Sequence, residues 1–229
     1  MKYIFIALDV DNIKKAKKIV NECKSSSLPI AFKIGLQLFY SKGGREFTKS
    51  LSKKFVTFLD LKLSDIPNTS KSALRSLKDI KNIDFLTVQI NAGKNTLKAV
   101  KLEAKKLNKK MRILGVTLLT SLDKKGIKEI GHTKNINQII IQKAKLAKKV
   151  KLDGIICAGG EVDLVNRYFN GKIIVPGIRL IGDKKSDQKR VFGPKEILLK
   201  KNCSGIVIGR SIIKGNIKNN LKKLEHQLN

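Results

Sequence analysis

Tryptophan is absent from this chain, and aromatic residues make up only 5% of its 229 positions. Stacking of nucleobases on exposed aromatic rings therefore has few residues to draw on. Acidic residues are also scarce, with 18 Asp and Glu against 49 Lys and Arg, a formal net charge of +31. That excess is not gathered into one arm or stripe. Lys14, Lys15, Lys17 and Lys18, then Lys105, Lys106, Lys109 and Lys110, then Lys143, Lys145, Lys148 and Lys149 spread it over successive amphipathic segments. Dispersed lysine of this kind solvates helix faces, and joint over-use of Lys, Ile and Asn matches AT-rich codon usage. No nucleic-acid partner is expected, although the field can draw in a polyanionic metabolite.

Cysteine and histidine are equally thin. Cys23, Cys157 and Cys203 form no C-x-x-C pair, and His132 and His226 stand far apart with no cysteine beside them. Buried free thiols in a reducing compartment are expected, with no zinc or other metal site. No apolar run reaches transmembrane length, and no basic leader runs into an apolar core. The expectation is a soluble cytoplasmic protein that makes no membrane contact.

What the chain has is alternation. Short apolar runs occur at Tyr3–Leu8, Ile30–Ile34, Phe55–Leu61, Phe85–Ile90, Arg112–Leu118, Gly154–Cys157, Lys172–Val175 and Gly205–Ile208. Between them lie segments of helical spacing, such as Ile13, Ala16, Ile19, Val20 and Cys23, or Ile140, Ala144 and Ala147 within 139–150. Eight strands separated by helices, with no Pro/Ser-rich linker, imply an α/β chain whose residues 1–229 form a single (β/α)8 TIM barrel. An open doubly wound sheet is the rival. No G-x-G-x-x-G follows the first strand, and polar residues follow nearly every strand, which suits a barrel mouth better.

The densest of these strand ends is Asp60-Leu61-Lys62-Leu63-Ser64-Asp65-Ile66-Pro67-Asn68-Thr69. It follows the β-prone run Phe55-Val56-Thr57-Phe58-Leu59. Alternation along a strand puts Asp60 and Lys62 on one side and Leu61 and Leu63 on the other. A surface salt bridge would explain a bare D-x-K. An acid and an ammonium side by side at a strand end, with Asp65 just beyond, also make a device for shifting pKa values and placing a proton.

Other strand ends carry similar groups. Asp9 closes the first strand, Lys33 lies in the second, and Thr120 and Ser121 follow the fifth. Pro176-Gly177-Ile178-Arg179 follows the seventh and Gly209-Arg210 the eighth. Each has a dull reading: Lys33 snorkelling to water, Asp9 capping a helix that begins near Asn12, Arg179 as a loop cation. Their recurrence at successive strand ends favours one shared pocket.

The ten-residue run resembles the signature of the orotidine 5'-phosphate decarboxylase family. The shorter D-x-K-x-x-D also occurs in phosphosugar decarboxylases and hexulose-phosphate synthases of the same barrel superfamily. The resemblance extends along the chain through A-L-D at 7–9, F-K-I-G at 32–35 and L-T-S at 119–121. It continues through P-G-I-R at 176–179, D-Q-K-R-V at 187–191 and V-I-G-R-S at 207–211. It departs at Gln89, where the family usually has histidine, a difference expected in packing or loop support and not in activity.

The resemblance implies decarboxylation of orotidine 5'-phosphate to UMP with no cofactor, with Lys62, Asp60, Asp65 and Lys33 as catalytic residues. Lys62 would stabilise and protonate the carbanion at C6, and Asp60 would face the departing carboxylate. It further implies substrate contacts from Asp9, Lys33, Ile66, Thr69, Thr120, Ser121, Pro176, Arg179, Gln188, Gly209 and Arg210. Gln188, Gly209 and Arg210 would hold the phosphate, with Arg179 nearby. A homodimer is implied too, with Asp65 and Thr69 contributed across the interface. The rival readings are a metal-dependent phosphosugar decarboxylase or aldolase of the same superfamily, and a basic nucleic-acid-binding module.

Overall fold

A computed structural model describes residues 2–183 and 192–229. Its strands are β1 (Tyr3–Ala7), β2 (Ile30–Gly35), β3 (Thr57–Leu63), β4 (Phe85–Gln89), β5 (Arg112–Val116), β6 (Gly154–Ile156), β7 (Lys172–Ile178) and β8 (Cys203–Ile208). Each pairs in parallel with the next, and β8 pairs with β1 to close the barrel. The expected (β/α)8 architecture is therefore observed, and the open-sheet alternative is not. β3 starts two residues later than the apolar run suggested and continues through Leu63. β7 carries on past Pro176, because Gly177 adopts φ +79° and the β7–β8 register shifts there.

Strand alternation sorts the core into two clusters. Ile4, Ile6, Phe32, Ile34, Leu59, Leu86 and Val88 point outward against the helices. Phe5, Ala31, Phe58, Phe85, Leu114 and Val207 point inward and fill the barrel. Three of the scarce aromatics, Phe5, Phe58 and Phe85, form this inner layer. Phe5 packs edge-on against Phe58 and Phe85 at centroid distances of 5.3 and 5.5 Å. The rings stop the barrel from being a pore, so the polar residues one pleat higher sit on a solid apolar floor.

The helix Ile13–Cys23 buries Ala16, Ile19, Val20 and Cys23, as its spacing predicts, and all three cysteines are free and buried. Asn12, not Asp9, caps this helix by accepting the Lys15 N–H at 3.0 Å. Lys143 corrects the reading of solvated lysines: it is 6% exposed on the helix Ile136–Lys149. Burial lowers its pKa to about 8 despite the opposing charge of Glu161, and its ammonium donates to the Thr117 carbonyl just after β5. Among the described residues no helix is long and apolar enough to cross a membrane.

Candidate active site

Above the phenylalanine layer, the next inward positions of β2, β3 and β4 are Lys33, Asp60 and Thr87, and Asp9 follows β1. Four of the charged groups at this level alternate in sign. Asp9 Oδ1 accepts from Lys33 Nζ at 2.9 Å, Lys33 Nζ lies 3.4 Å from Asp60 Oδ2, and Lys62 Nζ donates to the same Asp60 oxygen at 2.9 Å. The snorkelling reading of Lys33 fails, because the residue is 7% exposed and held between two carboxylates.

Burial alone would push the Lys33 pKa down, but the charges of Asp60 and Asp9 outweigh it and raise it above the usual lysine range. Burial likewise opposes ionisation of Asp60. Lys33 and Lys62, with hydrogen bonds from Lys62 and Thr87, outweigh it and hold the carboxyl below the usual carboxylate range. Near neutral pH both groups are charged. Gly35 makes room for this packing, since a Cβ there would lie 2.9 Å from Asp9 Oδ1 and 3.2 Å from Lys33 Nζ.

Lys62 reaches Asp60 through a local irregularity. Leu59 pairs with Leu86 and Leu63 with Val88, so Thr87 alone stands opposite Asp60, Leu61 and Lys62. Within this bulge Lys62 has φ +50°, a left-handed conformation that costs an L-residue about 1–2 kcal/mol. The Thr87 hydroxyl accepts the Lys62 N–H at 2.9 Å and donates to Asp60 Oδ1 at 2.9 Å. The expected meeting of Asp60 and Lys62 is therefore observed, but through a left-handed bulge and not simple pleating. Thr87 was missed from the sequence.

The strand ends enclose a cavity of about 490 Å³, within the usual range for small-molecule sites. Asp9, Lys33, Asp60, Lys62, Thr120, Pro176, Arg179, Gly209 and Arg210 all line it. Leu118, Leu119 and Ile213 add an apolar side. Arg179 is buried, and one of its guanidinium nitrogens donates to the Ile178 carbonyl at 3.3 Å.

Not every expected residue converges. Ser121 is exposed on the loop after β5 and is not among the lining residues. Asp65, Ile66 and Thr69 are also exposed and away from this chain's own cavity. Asp65 and Ile66 instead border a second, shallower depression with Gly93, Lys94 and Asn95. The Asp65 carboxylate accepts the Ile66 N–H at 2.7 Å, just before the helix Pro67–Arg75. Gln188 lies outside the described residues. Gln89, at the end of β4, is half-buried and does not line the cavity.

Comparison with known proteins identifies relatives along nearly the whole chain. Residues 2–224 match the family model for the orotidine 5'-phosphate decarboxylase / HUMPS family. Orotidine 5'-phosphate decarboxylase of Buchnera aphidicola subsp. Baizongia pistaciae is 38% identical over 227 residues, covering 97% of this chain and 93% of that protein. The enzyme of that name from Carboxydothermus hydrogenoformans is 38% identical over 216 residues, covering 92% of this chain and 88% of its own. The crystal structure of orotidine 5'-phosphate decarboxylase from Lactobacillus acidophilus superposes with TM-score 0.85 at 27% identity, covering 100% of both chains. That from Methanocaldococcus jannaschii, complexed with the inhibitor BMP, gives TM-score 0.78 at 27% identity, covering 100% of this chain and 99% of its own. With the family model spanning nearly the whole sequence and relatives this similar along most of their length, the chain belongs to the orotidine 5'-phosphate decarboxylase / HUMPS family.

Proposed function

We propose that this chain, acting as one barrel domain, converts orotidine 5'-phosphate to UMP in pyrimidine biosynthesis, with its own side chains supplying the chemistry. The alternating array Asp9–Lys33–Asp60–Lys62 at the floor of the cavity carries this reading. Loss of CO2 from C6 leaves an sp2 carbanion that the pyrimidine ring does not delocalise. The stabilisation required lies near the upper end of the ~8–23 kcal/mol usual for enzymes. A fixed ammonium in a sheltered site answers that need, because its dipoles and charges are already oriented.

Lys62 is that ammonium. The C6–carboxylate bond breaks, its electron pair stays on C6, and Lys62 transfers a proton to that carbon. Neutral Lys62 is then reprotonated from solvent. Asp60 faces the carboxylate of the bound substrate and, accepting from Lys62 Nζ at 2.9 Å, orients that ammonium. Lys33 neutralises the other side of Asp60, which prevents the carboxyl from simply taking up a proton. Asp65 and Thr69 complete the partner's site in a cytoplasmic homodimer. Support for this is their exposed position away from their own chain's cavity.

Gly209, Arg210 and Gln188 hold the phosphate, with Arg179 near it. Thr120, which lines the cavity, meets the pyrimidine. Arg210 borders the cavity directly after β8, and a guanidinium binds phosphate oxygens in pairs, about 1.5–3 kcal/mol for each bond to a charged group. Arg210→Ala is expected to lower kcat/KM for orotidine 5'-phosphate by roughly a hundredfold or more, as two such bonds imply. Decarboxylation of a truncated orotidine lacking phosphate should hardly change, since the lost contact is absent there. Equal losses on both substrates would remove the phosphate assignment.

The decisive experiment is a spectrophotometric assay of orotidine 5'-phosphate conversion with and without EDTA. Undiminished conversion in EDTA is the expected result. Activity that vanishes with EDTA and returns with magnesium would place the chain with the metal-dependent members of its superfamily. No conversion under either condition would overturn the proposal.

A further inference from the structure

We propose that Thr87 is a positioning residue for this reaction, one hydroxyl that orients Asp60 and holds the backbone turn that points Lys62 into the cavity. The proposal rests on the reading that Asp60 and Lys62 carry the chemistry. Thr87 is fully buried in the middle of β4, and its inward neighbour two residues earlier, Phe85, belongs to the apolar floor. A threonine in such a place ordinarily serves a strand as a β-branched filler. Here the hydroxyl has a specific occupation.

Between the pairs Leu59–Leu86 and Leu63–Val88, three residues of β3 face a single residue of β4. The regular ladder cannot serve all three, and the Lys62 N–H turns to the Thr87 Oγ1 instead, at 2.9 Å. An amide can only donate, so the hydroxyl must accept from it. The hydroxyl's one proton is thereby left for Asp60 Oδ1, also at 2.9 Å. This directionality matters. Asp60 Oδ1 must be an acceptor, while Oδ2 is occupied by Lys62 at 2.9 Å and approached by Lys33 at 3.4 Å. The carboxylate is thus fixed in rotation and kept in its ionised form, and the same atom that fixes it pins the residue carrying the reactive ammonium.

Lys62 needs pinning because its φ of +50° is a conformation an L-residue leaves readily when nothing holds it. Without the Thr87 hydroxyl, the bulge loses its cross-strand tie and Asp60 one of its donors. Both ends of the Lys62–Asp60 pair can then shift by about an ångström. The reaction depends on that placement, whereas binding of UMP, which has no carboxylate at C6, does not.

Thr87→Val preserves shape and removes both bonds. Its kcat is expected to fall roughly a hundredfold, the scale of an ångström-sized misplacement, while Kd for UMP stays within about threefold of the parent. Thr87→Ser restores the hydroxyl without the methyl group and should recover kcat to within about fivefold. A folded Thr87→Val protein with kcat within about fivefold of the parent overturns the proposal, as does a UMP Kd weakened in step with kcat. Should the valine variant not fold, Thr87→Ser and Thr87→Ala decide. Both lack the methyl, so a kcat ratio above roughly thirty supports the hydroxyl's role and one below about three overturns it. Failure of the underlying reading would be distinct, since the parent itself would then not decarboxylate orotidine 5'-phosphate.

Discussion

Lys62→Ala is expected to leave the barrel folded and to lower turnover on orotidine 5'-phosphate by roughly 10⁴- to 10⁷-fold. Two separate contributions disappear together. A charge aimed at a developing anion is worth about 10²–10³ in rate, and a placed proton donor about 10²–10⁴. The fold should survive because Asp60 is not orphaned. It keeps Lys33 at 3.4 Å and the Thr87 hydroxyl at 2.9 Å, so the strong penalty for an uncompensated buried charge is avoided. The Lys62 side chain itself is one-third exposed. Circular dichroism and melting temperature should therefore stay close to the parent while single-turnover kinetics collapse. Activity within tenfold of the parent would remove Lys62 from the mechanism.

The barrel was legible because a parallel sheet buried on both faces writes each strand as an apolar run, and the helices between them keep a different period. Where the runs misled, local backbone geometry was responsible. The seventh apolar run ends at Val175, yet Gly177 at φ +79° lets the strand continue until Ile178 pairs with Ile208. β3 was expected to alternate cleanly, but it carries the bulge at Lys62.

The floor of the site was readable for a different reason. Asp60, Lys62, Lys33 and Asp9 are charged residues at strand ends, and charge among apolar runs attracts notice. Thr87 sends no such signal, since a threonine inside Phe85-Leu86-Thr87-Val88 looks like any buried strand residue. Its role follows from β3–β4 register, which no spacing in the sequence encodes. Lys143 was misassigned although a clue was present. Ile139, Ile140, Ala144 and Ala147 surround it at helical spacing, which places position 143 on the buried stripe.

The position of Asp65 leads to the last expected result. D-x-K-x-x-D reads as one motif, but the chain divides it: Asp60 and Lys62 line the cavity, whereas Asp65 lies past the end of β3 on an exposed edge. Its carboxylate is turned onto the Ile66 N–H at 2.7 Å, at the entrance to the helix Pro67–Arg75. Thr69 is exposed on that helix, and Ile66 is 66% exposed despite being apolar. An acid, a hydroxyl and an uncovered isoleucine on one edge suit a surface that a second copy completes, with each Asp65 serving the other subunit's Lys62.

Asp65→Ala and Lys62→Ala homodimers should then each be nearly inactive, for different reasons. When the two are mixed and allowed to exchange, half of the dimers become heterodimers. In each of these, one site receives intact Lys62 from one chain and intact Asp65 from the other, while the second site lacks both. About a quarter of the parent activity should return for random exchange and independent sites. The recovery should follow the rate of subunit exchange, measured in parallel with differently tagged chains. If exchange is complete and activity stays at the level of the separate variants, Asp65 serves the site of its own chain, and the shared-site arrangement is wrong.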